Sequence, residues 1–134
     1  MLQVARLAHK LLGESAALVT GFLHSQLNDD GGFKDRGGAS DLYYSVFGLE
    51  GLLALRADLP AGKVERYLRS FADVNSLDFI HASCLARCWA GLPRDIRQAA
   101  PRDAILARIE SFRSGDQTYN AAAGNAARNL YGCF

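Results

Sequence analysis

"LNDDGGFKDRGGASDLYYSVFGLEGLLAL", residues 27–55, decides the fold of this chain. A polar, glycine-rich segment runs straight into an apolar one. Asn28 to Ser40 reads as a loop, because Gly31, Gly32, Gly37 and Gly38 allow the positive φ angles of tight turns. Ser40 or Asp41 can cap the helix that follows, with Leu42, Val46, Leu49 and Leu53 on one side. Asp30 can accept local backbone bonds, and Phe33 can tuck back between helices. Gly48 and Gly51 leave room for close helix packing. The phosphate-loop spacing Gly-x-x-x-x-Gly-Lys-Ser/Thr is absent, which argues against a nucleotide cradle. A further reading puts Asp41, Tyr43 and Tyr44 at the mouth of a site, and it is compatible with capping.

Working outward, strand signals are nearly absent and helical spacing recurs. Val4, Ala8 and Leu11 share one face, and Gly13 stops that helix. Ser15 is expected to cap the next, whose face is Val19, Phe22, Leu23 and Leu27. Pro60 suits the first turn of a helix carrying Val64, Tyr67, Leu68 and Phe71. A further helix runs from about Ser76 to Leu92, with Leu77, Ile80, Cys84, Leu85, Cys88 and Trp89. Pro93 and Pro101 bracket a short helical turn. Ile105, Leu106, Ile109 and Phe112 mark the next helix. A second polar loop, Arg113 to Gly124, leads into a last helix that reaches Phe134. The expected class is all-α, a single domain over residues 1–134 built of helical hairpins.

Composition excludes several roles. The chain is 49% hydrophobic and 22% charged, which is globular rather than disordered. A net charge of +1 leaves no basic excess, so no nucleic-acid partner is expected. No apolar run reaches the ~18 residues of a membrane span. Three cysteines, at 84, 88 and 133, argue against a disulfide framework. The opening "MLQVARLAHK" lacks the order of a signal peptide. A soluble, cytoplasmic protein is the expectation.

Internal repeats fit this pattern. "SQLNDDGGF" (25–33) lies over "SFRSGDQTY" (111–119), so that Ser25 meets Ser111, Asp30 meets Asp116 and Phe33 meets Tyr119. "LYYSVF" (42–47) lies over "LYGCF" (130–134), and "DFIHASCL" (78–85) over "DLYYSVFG" (41–48). Each unit would be a helix, a loop and a second helix, and such units bury their apolar faces only by stacking.

Residues 21–33, "GFLHSQLNDDGGF", resemble the repeat of terpenoid cyclases (squalene-hopene cyclase-like) and protein prenyltransferase β subunits. In that repeat an aromatic-Leu pair and a Gln precede an Asp-Gly-Gly-aromatic turn. Residues 31–55 are similar to the prenyltransferase version, where the loop leads into a helix starting Asp-x-Tyr. The resemblance implies an arc of an α/α toroid, two concentric rings of helices around a funnel that holds an isoprenoid. It implies a diphosphate-bearing isoprenoid ligand, and either further C-terminal repeats or completion by a homo-oligomer. The alternative is a non-catalytic helical-repeat module completed by self-association or a partner chain.

The family's chemistry carries over only in part. The resemblance implies Asp41 and Tyr44 as catalytic positions, and Tyr43 and Phe47 as isoprenoid contacts. Prenyltransferase zinc is held by an Asp-x-Cys motif and a His in an Asp-x-Tyr-His helix start. Here that helix start reads Asp41-Leu42-Tyr43-Tyr44, and no Asp-x-Cys occurs. The Asp-x-Asp-Asp acid motif of protonating cyclases is absent too. His81 occupies the histidine slot in the aligned helix and is the one metal-ligand candidate. Asp78, His81, Cys84 and Cys88 lie near one helix face, but one straight helix cannot wrap four ligands around a tetrahedral ion. Cys84 and Cys88 are therefore expected as small core hydrophobes. His9 and His24 have no partner at a telling spacing. Arg87, Arg94, Arg97, Arg102 and Arg108 are expected on a solvated face, although the family binds diphosphate with rim cations. Phe33, Tyr43, Tyr44, Phe47, Phe79 and Trp89 serve either an isoprenoid wall or an ordinary core.

Overall fold

The computed structural model describes residues 7–115 and 118–120. The expectations placed on Val4, Asp116, Cys133 and the helix ending at Phe134 lie outside these residues. The described chain is mostly helical. Helix α1 (Ala8–Leu12) stops at Gly13, whose φ of 51° only glycine adopts freely. Helix α2 (Ser15–Ser25) begins at Ser15 itself, and no side chain caps it. The expected Ser15 cap is thus corrected: its residue is already helical.

Between α2 and the next helix the loop forms a two-stranded clip, β1 (Phe33–Lys34) against β2 (Ser40–Asp41), with Phe33 opposite Asp41. A strand pair was not expected here. Its cause is the turn between the strands, where Asp35 Oδ1 accepts the N–H of Gly37 at 2.8 Å and of Ala39 at 2.9 Å. Of the four loop glycines, only Gly31 (φ 99°) and Gly38 (φ 89°) use positive φ. Gly32 serves for space instead, since a Cβ there would sit 2.8 Å from the Tyr67 ring.

Helix α3 (Leu42–Leu55) follows and ends on Arg56 in the left-handed region. After Pro60 come α4 (Ala61–Arg69), a 3-10 turn (Val74–Ser76) and α5 (Phe79–Gly91). Then come α6 (Arg94–Arg97) and α7 (Arg102–Glu110). Helices α3 and α5 lie side by side and run the same way: Asp41 meets His81, Glu50 meets Arg87, and Leu53 meets Gly91. Around this pair the core gathers Leu49, Leu52, Val64, Leu68, Leu85 and Ile105. Each such side chain contributes about 1.5–3 kcal/mol by leaving water.

Four faces read from spacing need correction. Leu53 is exposed and Leu52 is buried in its place. Val19 and Phe22 on α2, Ile80 on α5 and Leu106 on α7 are also exposed. The cause is the same each time. These helices are apolar on more than one side, so periodicity does not choose which side meets the neighbour.

The two long loops close alike. In the first, Lys34 N–H donates to Gln26 O at 2.8 Å and Asn28 N–H to Gly32 O at 2.9 Å. In the second, Asn120 N–H donates to Phe112 O at 2.9 Å and Ser114 N–H to Thr118 O at 2.8 Å. The isolated bridges match as well, Leu27 with Phe33 and Arg113 with Tyr119. Residue for residue, these are the positions that aligning Ser25 with Ser111 superposes.

Candidate functional site

The starts of α3 and α5 are built by one device used twice. Asp41 Oδ1 accepts the N–H of Tyr44 at 3.0 Å, and Asp78 Oδ1 accepts the N–H of His81 at 2.8 Å. Both residues are N-caps in extended backbone, which satisfies amide donors that the first helical turn leaves free. Ser45, fully buried, ties the loop to α3: it accepts the N–H of Phe33 at 3.0 Å and donates to Asp41 O at 2.7 Å. The parallel packing then brings the two caps together across His81.

His81 lies between the two carboxylates. Its Nδ1 is 2.8 Å from Asp78 Oδ1, and its Nε2 is 3.6 Å from Asp41 Oδ2. Burial works against ionisation of Asp78, but the backbone and ring hydrogen bonds of His81 outweigh it, so this carboxyl lies below its usual range. The imidazole thus stands between the caps of two neighbouring helices. Each ring nitrogen faces a carboxylate, and among the described residues no three His, Cys, Asp or Glu groups are gathered to hold a metal. Cys84 and Cys88 sit in the core, where burial pushes the Cys84 thiol up to about 11 and the Cys88 thiol up to about 12. At neutral pH both are protonated, and a protonated thiol is a poor metal ligand and nucleophile.

Beyond the caps, the aromatic residues divide. Tyr43 and Phe47 point outward, 48% and 54% exposed, and pack edge to face with centroids 5.0 Å apart. Tyr44 is half-buried and meets the Tyr43 ring edge-on at 5.9 Å. Phe33 is buried against Gly48, where a Cβ would collide with its ring. Phe79 stacks on Tyr119 at 5.2 Å, and Trp89 lies in the core.

Tyr44 and Phe47 share a groove of about 310 Å³ with Phe22, Leu23 and Phe33. Lys34, Asp35 and Arg36 of the clip form its polar end. Sequence reading placed Tyr44 and Phe47 at a site but assigned Phe22 to the core, and so missed the groove. The signal was available in the pairing of the exposed side of α2 with the clip, but only the three-dimensional turn of β1 and β2 brings Lys34 and Arg36 to it. The expected Asp41, Tyr43, Tyr44, Phe47 and His81 thus fall into two neighbouring arrangements, the carboxylate–imidazole group and the aromatic groove.

The arginines also divide. Arg87 pairs with Glu50 of α3. Arg108 donates to Leu77 O at 2.7 Å and lies 4.3 Å over the Phe112 ring, so it is structural rather than a solvated charge. Arg94, Arg97 and Arg102 border one open pocket.

No protein-family model, curated protein or solved structure gives a match to this chain.

Proposed function

We propose that this chain is an α/α-toroid-type arc, similar to protein prenyltransferase β-subunit and terpenoid cyclase repeats, that holds an isoprenoid chain in the α2–α3 groove. The aromatic groove carries this reading. Phe22, Tyr44 and Phe47 offer flat apolar walls to an unsaturated hydrocarbon. Lys34 and Arg36 at its end suit a diphosphate head. The toroid reading draws support from the parallel α3–α5 pair, the repeated Asp caps and the matching loops. The groove accounts for binding of the chain, and among the described residues no zinc ligand set is gathered beside it.

Native mass spectrometry with geranylgeranyl diphosphate tests this. The expected result is a retained one-to-one complex that Phe47→Asp abolishes and Arg36→Ala weakens. Phe47 is largely exposed, so the fold should tolerate the change. A wild-type chain that retains no isoprenoid sinks the reading.

A second reading is favoured by one observation: α2 buries none of its residues. An apolar helix left uncovered at the edge of a stacked array is the surface on which another unit packs. Under this reading the chain is a non-catalytic module completed by a second copy or a partner. Light scattering across a concentration series decides it, since a monomer at every concentration without partner capture is incompatible with a sticky edge.

A further inference from the structure

On the opposite side of the α3–α5 pair, α5, α6 and α7 enclose a second groove of about 250 Å³. Its apolar wall comes from Ala86, Trp89, Ile105 and Leu106, and Arg97 and Arg102 stand at its edge. The same two arginines, with Arg94 and Gln98, border the adjoining open pocket of about 500 Å³. The two spaces share Arg97, Ala100 and Arg102 in their walls, so an apolar hollow lies beside a cationic one.

Two features of this region are unexplained by the fold. Among the described residues Arg94, Arg97 and Arg102 make no ion pair, although Asp95 and Asp103 follow two of them directly. Arg97 donates only to Ala90 O, at 3.1 Å. The second feature is Trp89. Its indole N–H is buried without an acceptor, in a residue that forms the groove wall. An alkyl chain supplies no acceptor for this donor, and Trp89 meets the groove as an apolar wall.

We propose that this groove binds a small single-chain amphiphile with an anionic head, a carboxylate or a phosphate. The alkyl chain lies against Trp89, Ile105 and Leu106, and the head takes charge-assisted hydrogen bonds from Arg97, Arg102 and Arg94. The apolar space is smaller than the ~300–1,000 Å³ of pockets that enclose drug-sized ligands, so part of the ligand stays in the open cationic end. The site shares no residue with the α2–α3 groove and does not rest on the isoprenoid reading.

Trp89 is the single tryptophan of the chain and lines this groove, so its emission responds to an occupant there. The full-length protein is titrated with dodecyl phosphate and with dodecanoate below micelle formation. Saturable change with one or both is expected, and the stronger of the two identifies the head group. The double variant R97A/R102A should bind at least about tenfold more weakly, and both substitutions are at exposed positions. Arg66→Ala on α4, which removes an exposed cation outside both grooves, should bind as the wild type does. Absence of saturable change overturns the proposal, as does an equal response to dodecyltrimethylammonium. A response to an acidic peptide but to neither amphiphile overturns it as well.

Discussion

Helices α2 and α4 are both short, both lack a side-chain cap, and both lie beside the α3–α5 pair, yet they meet water in opposite ways. Helix α4 puts Val64, Tyr67 and Leu68 into the core and turns Lys63, Arg66 and Arg69 outward. Helix α2 carries no lysine, arginine or carboxylate, and leaves Leu18 77% and Phe22 60% exposed. An amphipathic helix is fixed by its own sequence, because only one face can be buried without loss. A helix that is apolar on every side is fixed only by what covers it. The contrast separates the part of this molecule that is self-sufficient from the part that is an offered surface.

The sharpest way to break that contrast is to cut one leucine in each helix. Leu68→Ala should cost about 2–5 kcal/mol in urea unfolding, whereas Leu18→Ala should stay within about 0.5 kcal/mol. Equal losses would mean that α2 is packed after all. Next in size is Gly31→Ala. Gly31 has φ 99° and lies against the Lys63 carbonyl of α4, so a methyl group there meets both strain and backbone. A loss of about 2 kcal/mol or more is expected, with α4 amides exchanging faster than those of α2. A harmless substitution would show that the loop does not brace α4.

The capped helices provide a third, smaller test. Asp78→Ala should cost about 1 kcal/mol, as lost N-caps do, and Asp41→Ala a similar amount. The cap also carries a pH signature. Because the folded Asp78 carboxyl lies below its usual value of 3.8, its contribution is complete above that value and is lost as the pH falls through the lower folded one. Wild type and Asp78→Asn should therefore differ in stability above pH 3.8 and converge as the pH falls below it, by a small amount since the side chain is half exposed. The smallest expected signal is chemical. Cys84 and Cys88 should resist iodoacetamide in the folded protein at pH 7.5 and react on unfolding, as followed by peptide mass mapping.

Much of this was legible in the sequence, and the reasons are local. Asp41 and Asp78 reveal themselves because a cap is a matter of a few neighbouring residues. Pro60 and the proline-bracketed α6 are legible for the same reason. Val64, Tyr67 and Leu68 were assigned correctly because charged residues mark the other side of α4. Leu53, Phe22 and Leu106 were misplaced because apolar residues lie on more than one side of these helices, and the charges of α7, Arg102, Asp103, Arg108 and Glu110, do not gather on one face. The clip was missed because two-residue strands have no period to detect, and their pairing depends on Asp35 gathering the turn. The groove beside it needed Phe22 and Arg36 brought together by that same turn. The meeting of Asp41 with His81 depends on which helices are neighbours, and no spacing along the chain encodes that distance.

The matched loops carry a consequence of a different kind. Gln26 and Phe112 receive equivalent backbone bonds, as do Gly32 and Thr118, although these residue pairs have little chemistry in common. The closing bonds come from main-chain groups, which most side chains leave in place, while Gly31 and Gly32 of the first loop are held to glycine by φ and by space. The two loops therefore share one closure made by the backbone, while their side chains, Phe33 against Gly48 and Tyr119 against Phe79, anchor each to its own neighbours.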